Sequence, residues 1–208
     1  LINKGVIMKK GTKISIYILL FLLTVFIILT LKKYIYITEF INRVNSYSNM
    51  NNYTIEITED QNYNNTIVIH KLDSSYVYKI NNIVAYKNAT SEAYYRNGTQ
   101  IEKTETGSKV NLNLLQNPVE LPTVSLNNFW NRLKLSISFD TQLMSHTYNN
   151  IDCKKLTFLN YDKSGLPTKY TVYINSKTFD PVYVETTTTN YEYTFTENNV
   201  TLEDVKLP

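Results

Sequence analysis

The hydrophobic pattern of the chain begins with an apolar run from Ile14 to Leu31 that contains no charged residue, no Gly and no Pro. Fourteen of its eighteen residues are Leu, Ile, Phe or Val. As a helix the run measures about 27 Å, close to the thickness of the bilayer hydrocarbon core, and its side chains supply roughly −4 to −8 kcal/mol on the insertion scale. The run therefore predicts a retained transmembrane anchor, represented by these residues: Ile14, Leu20, Phe21, Phe26 and Leu31.

Three other interpretations of this run fit the pattern less well. A cleaved signal peptide has a shorter apolar region followed by a small-residue cleavage site, whereas here Lys32, Lys33 and Tyr34 follow directly. A core helix of a soluble protein is rarely apolar on every face. A lipid anchor needs a cysteine just after the run, and the only cysteine is Cys153. A retained single-pass anchor fits the pattern best.

The lysines that flank the run predict its orientation. Four lysines precede the run and two follow it, and the more positive flank stays in the cytoplasm. We therefore expect residues 1–13 in the cytoplasm, the anchor at 14–31 and one extracytoplasmic domain at 34–208, so that the protein is held at the cell membrane. Met8, which two lysines follow, is a candidate translational start.

Beyond the anchor, most segments alternate between apolar and polar residues, which is typical of antiparallel strands with one wet face. Asn97-Gly98 is the strongest hairpin signal. The alternation predicts some nine or ten strands, drawn from the following segments: 53–58, 66–70, 75–80, 83–87, 93–96, 99–103, 109–115, 151–160, 168–175, 182–189, 191–196 and 201–206.

Two segments instead have the apolar spacing of amphipathic helices. The first is predicted over 38–46 and can continue the apolar helix, and the second is predicted over 125–134 behind a Ser125 cap. Their apolar positions are Ile37, Phe40, Ile41 and Val44 in the first helix, and Leu126, Phe129, Trp130, Leu133 and Ile137 in the second.

These elements predict a mainly β fold of the α+β class. A flat sheet of this size would leave its apolar face uncovered, so we expect a curved antiparallel half-barrel sheet wrapped around the short helices and preceded by the transmembrane helix. Its inner face is either filled core or an open slot for acyl chains. The residues expected there are Ile55, Ile57, Ile67, Ile69, Phe129, Trp130, Leu133, Tyr170, Val172 and Ile174.

The charge distribution and the cysteine content limit the partners and the covalent cross-links that the protein can have. The net charge of +3 comes from the six lysines around the anchor, and the external domain carries 15 basic against 18 acidic residues. No basic cluster is interleaved with aromatic residues, which argues against nucleic acid as a partner. A single cysteine allows no intramolecular disulfide.

The candidate chemistry is sparse. His146, Cys153 and two nearby aspartates are the residue types of a Cys–His nucleophile, but the strand alternation gives no reason for them to converge, and no nucleophile motif surrounds the cysteine. The two histidines, His70 and His146, lack metal-ligand spacing. Five glycines form no phosphate-binding loop. We expect no catalytic residue, no metal site and no cofactor.

Three segments carry a resemblance to a known family. The first helix contains Phe40-Ile41-x-x-Val44-x-Ser46-Tyr47 and runs straight into a strand. Late in the chain comes Tyr173-Ile174-Asn175-x-x-Thr178-Phe179-x-Pro181-Val182, and the chain ends in Val205-Lys206-Leu207-Pro208. Over residues 37–208 the sequence resembles the LolA/LolB-like lipoprotein-carrier superfamily, which includes RseB-type sensors and, among spore-forming bacteria, GerS-type germination lipoproteins. The resemblance implies a half-barrel closed by helices.

The anchor departs from this family, since GerS-type members are held by a lipid on a cysteine that this chain lacks. A protein fixed by a membrane helix does not shuttle lipoproteins. The expected function is a tethered, non-enzymatic domain that acts by protein contact in the cell or spore envelope, with a cell-wall amidase as the partner that the resemblance implies. The alternative is a receptor that binds an acyl chain or a lipoprotein, and hydrolysis is a distant third.

Overall fold

The computed structural model describes residues 10–59, 66–110, 114, 119, 126–161, 166–187 and 189–206. Two α-helices, eleven strands and short 3-10 segments are found in this part of the chain. The helices are α1 (Lys10–Ser46) and α2 (Phe129–Ile137). The strands are β1 (Asn52–Glu59), β2 (Ile67–Leu72), β3 (Ser75–Ile80), β4 (Ile83–Lys87), β5 (Glu92–Arg96), β6 (Thr99–Ile101), β7 (Gln142–Tyr148), β8 (Ile151–Tyr161), β9 (Pro167–Asn175), β10 (Pro181–Glu185) and β11 (Asn190–Glu197).

All the described strands belong to one antiparallel sheet, in the order β6-β5-β4-β3-β2-β1-β11-β10-β9-β8-β7. The chain meanders from β1 out to one edge at β6, crosses by way of α2 to the other edge at β7, and meanders back until β11 pairs with β1. This confirms the predicted open antiparallel sheet with few helices. Its two edges are β6 and β7.

Tight turns with left-handed residues connect neighbouring strands. Asn97 and Gly98 both have positive φ, 52° and 80°, as the predicted hairpin requires. Asn149 and Asn150, with φ of 45° and 62°, form the corresponding turn between β7 and β8. Asparagine tolerates this conformation better than other residues with a side chain, and it therefore replaces glycine in a chain with only five glycines.

Helix α1 has two halves with different environments. The N-terminal half, 14–31, projects away from the sheet, and its apolar side chains are exposed in the absence of a membrane. The C-terminal half carries four buried side chains on one stripe, Ile37, Phe40, Ile41 and Val44. The predicted helix over 38–46 is thus confirmed as the continuation of the apolar helix, in one helix of 37 residues.

The main core lies between this stripe and the concave face of the sheet. Tyr47, in a 3-10 turn directly after α1, stacks on Phe195 of β11 with 4.6 Å between ring centroids. The other buried core residues of the sheet and its connections are Tyr53, Ile55, Ile57, Ile69, Tyr78, Ile80, Ile83, Ala85, Tyr94, Leu114, Val119, Leu126, Leu156, Phe158, Val172, Ile174, Val184 and Tyr193. The strands that contribute more than one of these residues contribute every second one, which is the expected period.

Several predictions of individual elements need correction. Strand β7 was not predicted, and residues 201–206 form a turn instead of a strand, closed by Asp204, which accepts hydrogen bonds from Thr201. The second helix begins at Phe129 behind an Asn128 cap whose side chain accepts the Trp130 N–H at 2.8 Å; Ser125 lies outside the described residues. The segment 109–115 lies mostly outside them as well, after a 3-10 segment, Lys103–Lys109. The other predicted strands differ from the observed ones only at their ends.

Candidate functional site

The centre of the concave face is occupied by α1. Ile55 and Ile57 of β1, Ile69 of β2, and Val172 and Ile174 of β9 are buried in the same cluster as the apolar stripe of that helix. Two further residues expected on the inner face, Ile67 and Tyr170, are half-buried and pack against this cluster. At these positions the concave face is filled by the side chains of the chain itself.

Phe129 and Trp130 lie elsewhere than expected. They are 48% and 64% exposed, because α2 begins later than predicted and Leu126, which precedes it, takes the buried position. Leu133 is half-buried. Helix α2 therefore sits beside α1 at the rim of the sheet and not across its centre, and its aromatic residues point away from the core.

An open groove remains where α1 leaves the apolar run. It has a volume of about 480 Å³ and lies between α1 and the concave side of the β7–β8 edge. We call it the exit groove. Its lining consists of Leu29, Lys32, Lys33, Ile35, Tyr36, Glu39, Leu143, Ser145, Lys154 and Phe179.

The exit groove combines apolar walls with a cationic mouth. The Tyr36 and Phe179 rings lie 5.0 Å apart and close one side, and burial raises the pKa of the Tyr36 hydroxyl, which stays neutral. Lys33 Nζ donates to the Thr141 carbonyl at 2.8 Å, and Lys154 Nζ donates to Ser145 Oγ at 2.6 Å. The arrangement suits an apolar chain with a polar or anionic end.

A charged cluster fixes the far end of α1. Arg43 Nε donates to Asp180 Oδ1 at 2.6 Å, and its Nη2 donates to Glu197 Oε1 at 2.6 Å. The Tyr47 hydroxyl donates to the same Asp180 oxygen at 2.8 Å, and the guanidinium lies over the Phe195 ring at 5.0 Å. Although burial disfavours the charge, the hydrogen bonds to both carboxylates raise the pKa of Arg43. The cluster ties α1 to β11 and to the turn before β10.

His146 and Cys153 are closer than the sequence indicated. They are directly opposed in the β7–β8 pair and share the convex face. The His146 ring, however, packs edge-on against Tyr173 at 5.0 Å, and the thiol is buried in a cluster with Tyr173, Val182 and Tyr183. Burial raises the pKa of the Cys153 thiol, which is the opposite of what a nucleophile needs. The packing of both side chains therefore indicates a structural role and not a catalytic one.

A second hollow, of about 420 Å³, lies on the convex face over β7, β8 and β9. Polar and apolar groups contribute to its walls in similar measure, with an exposed Met144 on β7. We call it the convex cavity, and its lining consists of Phe139, Asp140, Gln142, Met144, Lys155, Thr157, Leu159, Lys169, Thr171 and Glu185. Within the described ranges no group of three or more His, Cys, Asp or Glu side chains is arranged to hold a metal ion.

Sequence reasoning missed both hollows because both depend on β7. The polar composition of this strand conceals its alternation, since neither of its faces is fully buried. The Asn149-Asn150 pair before the apolar start of β8 was the signal that could have found it, as a hairpin turn of the same kind as Asn97-Gly98.

No protein-family model matches the chain, and no curated protein matches its sequence. Among solved structures it is similar to a chain of the MucA/MucB complex from Pseudomonas aeruginosa, at 8% identity and a TM-score of 0.43, over 83% of this chain and 61% of that one. LprF from Mycobacterium bovis aligns at 9% identity and a TM-score of 0.35, over 80% and 95%. A LolA superfamily protein from Nitrosomonas europaea aligns at 9% and 0.24, over 82% and 97%. The chain thus spans less than two thirds of the first of these structures, and alignments at this level assign it no ligand and no partner.

Proposed function

We propose that the protein is a membrane-tethered, non-enzymatic domain that works outside the cytoplasm by binding another envelope protein. The observation that carries this proposal is the double use of α1. One continuous helix presents an uncharged, predominantly apolar half to its surroundings and buries one stripe of its other half at the centre of the domain core. A domain built in this way is rigidly joined to its own anchor.

The dimensions of α1 support the tether. A helix of 37 residues is about 55 Å long, whereas the hydrocarbon core of a bilayer is about 30 Å thick. The length of helix that extends beyond the hydrocarbon core corresponds to the half of α1 that packs on the sheet. With the lysine-rich flank in the cytoplasm, the membrane holds residues 14–31 and the domain lies on the extracytoplasmic side of the cell membrane.

The convex cavity is the surface that we assign to the protein partner. Its exposed Met144 is flanked by charged and polar residues of both signs, among them Lys155, Lys169 and Glu185, and an apolar centre with a polar rim is the usual anatomy of a contact surface. The resemblance to GerS-type proteins makes a peptidoglycan-processing enzyme, such as a cell-wall amidase, the partner class to test first.

Photocrosslinking in living cells tests this assignment. A photoreactive phenylalanine analogue replaces Met144 in one variant of the full chain and the exposed Leu202, remote from the convex cavity, in a matched control. We expect a discrete protein adduct from position 144, absent from position 202, that contains a cell-wall hydrolase. Adducts that are identical at the two positions, or none from position 144, would count against the convex cavity as a docking surface.

The exit groove supports a second function, the binding of one acyl chain of a lipid or lipoprotein. It opens beside Leu29, within the apolar run, and so faces the bilayer directly. Each buried methylene contributes about 0.8 kcal/mol. We expect one tightly bound lipid per full-length chain after purification in mild detergent, measured by native mass spectrometry, and its loss in a Ser145→Trp variant that fills the groove. Equal lipid content in the two proteins would refute the receptor function.

A further inference from the structure

Outside the apolar run, exposed large apolar side chains are concentrated on and just after α2. Phe139 is 89% exposed, Trp130 64%, Phe129 48%, and Ile137 is exposed as well. Trp130 and Ile137 are seven residues apart and therefore share one face of the helix. We call these four residues the rim patch. An exposed cluster of this kind marks an interaction site.

Contacts with α1 fix the rim patch at the end of the apolar run. Lys33 Nζ donates to the Thr141 carbonyl at 2.8 Å and to the Ser138 carbonyl at 3.4 Å, so it holds the two ends of the turn that carries Phe139. The Tyr34 and Phe129 rings lie 5.7 Å apart. Lys33 and Tyr34 are two and three residues past Leu31, which is within about 5 Å along the helix axis.

A third contact sets the tilt of α2. Asn45 Nδ2 donates to Asn127 Oδ1 at 2.8 Å, and Asn45 lies fourteen residues beyond Leu31 on α1. The segment just before α2 is therefore held farther from the apolar run than the turn at Phe139, whereas the Phe129 ring reaches Tyr34 near the run. Phe139 and Trp130 are expected at different depths.

We propose that the rim patch rests in the surface of the same bilayer that α1 crosses, with Phe139 inserted among the acyl chains and Trp130 at the headgroup level. This inference rests on the proposed tether. Aromatic side chains favour the membrane–water interface, and an amphipathic helix beside an anchor adds its apolar area to the binding. Lys32 on α1 and the exposed Lys134 on α2 carry charges near the patch that attract lipid phosphates, against one exposed carboxylate, Asp140, directly after Phe139.

Docking of this kind gives the domain one orientation. A domain that is held only by α1 is free to lean with its anchor, whereas a second contact with the bilayer at the rim patch fixes its tilt. The exit groove then stays open to the lipid, and the convex cavity, which Phe139 also lines, opens next to the membrane surface.

Quenching by brominated lipids tests the proposal on the full-length chain. Trp130 is the only tryptophan and reports on the patch without any substitution, in vesicles of phosphatidylglycerol and phosphatidylcholine. In a Trp130→Tyr background, Phe139→Trp probes the turn and Tyr17→Trp probes the anchor. Leu202→Trp is the control: Leu202 is 76% exposed and follows Val200, whose N–H donates to Asn52, beyond the far end of α1.

We expect the Phe139→Trp probe to lose at least about twice the emission that the Leu202→Trp probe loses with lipids brominated near the headgroup. The native Trp130 should be intermediate and blue-shifted. If the Tyr17→Trp probe is quenched by deeply brominated lipid while the Phe139→Trp probe and Trp130 match the Leu202→Trp control, the docking inference is wrong and the tether stands. If the Tyr17→Trp probe is not quenched either, the tether and the docking both fail.

Discussion

Removal of the Phe40 ring tests whether α1 is a part of the domain core. Phe40 is 1% exposed and lies on the buried stripe of α1, and a buried aromatic side chain of 150–250 Å² contributes about 4–6 kcal/mol at 25 cal/mol per Å². Because that estimate is an upper bound, we expect Phe40→Ala to lower the free energy of unfolding by about 4 kcal/mol, within the range of measured Phe→Ala substitutions. This is a large fraction of a total that is commonly 5–15 kcal/mol.

Urea unfolding of the full chain in detergent micelles, followed by the near-UV circular dichroism of the buried tyrosines, measures the effect. With a slope near 2 kcal/mol per M, the midpoint should fall by about 2 M. Phe26→Ala is the matched control, because it removes the same ring from the exposed half of the same helix and should change the stability by less than about 0.5 kcal/mol. An unchanged midpoint for Phe40→Ala, or equal shifts for the two variants, would show that the helix is not packed on the sheet.

Three further predictions concern the polar and titratable groups. Arg43→Leu leaves two carboxylates without their ion-pair partner and should lower the free energy of unfolding by about 2 kcal/mol in the same assay. Lys87→Leu, at a surface ion pair, should lower it by less than about 1 kcal/mol, and similar losses in the two variants would mean that the Arg43 cluster is no more than a surface contact. Burial and a nearby lysine lower the pKa of His70 from its ordinary 6.5, so the unfolded chain takes up the proton first. The free energy of unfolding should therefore fall as the pH drops below about 7, and it should fall less steeply in His70→Gln. An unaltered slope in His70→Gln would remove His70 as the cause. The Cys153 thiol, 2% exposed, should react with a maleimide at least about ten times more slowly in the folded chain than in urea, and equal rates would show that it is accessible.

The sequence predicted the strands that have one apolar and one polar face. In β1 and β9 the alternation is strong because one side packs on α1, and the predicted bounds are within one residue of those observed. It failed for β7, an edge strand with neither face fully buried, because periodicity appears only where burial selects for it. It also failed for 201–206, where alternating residues form an Asp-closed turn.

The candidate sites were harder to predict because they depend on pairings between distant segments. The exit groove joins α1 to β8, more than one hundred residues later, and no local pattern encodes that distance. The apolar stripe of α2 was recognised, but a stripe states only that a face is apolar and not what covers it. In this chain Leu126 turns to the core and the face with Trp130 is left open.

The location of the domain tests the central claim most directly. In a Cys153→Ala background, Leu202→Cys places one thiol on an exposed site far from the anchor. We predict that a membrane-impermeant maleimide labels this thiol on intact cells and that all of the labelled protein sediments with the membrane fraction. Labelling only after permeabilisation, or recovery of the full-length chain in the soluble fraction, would contradict a domain held outside the cytoplasm by α1.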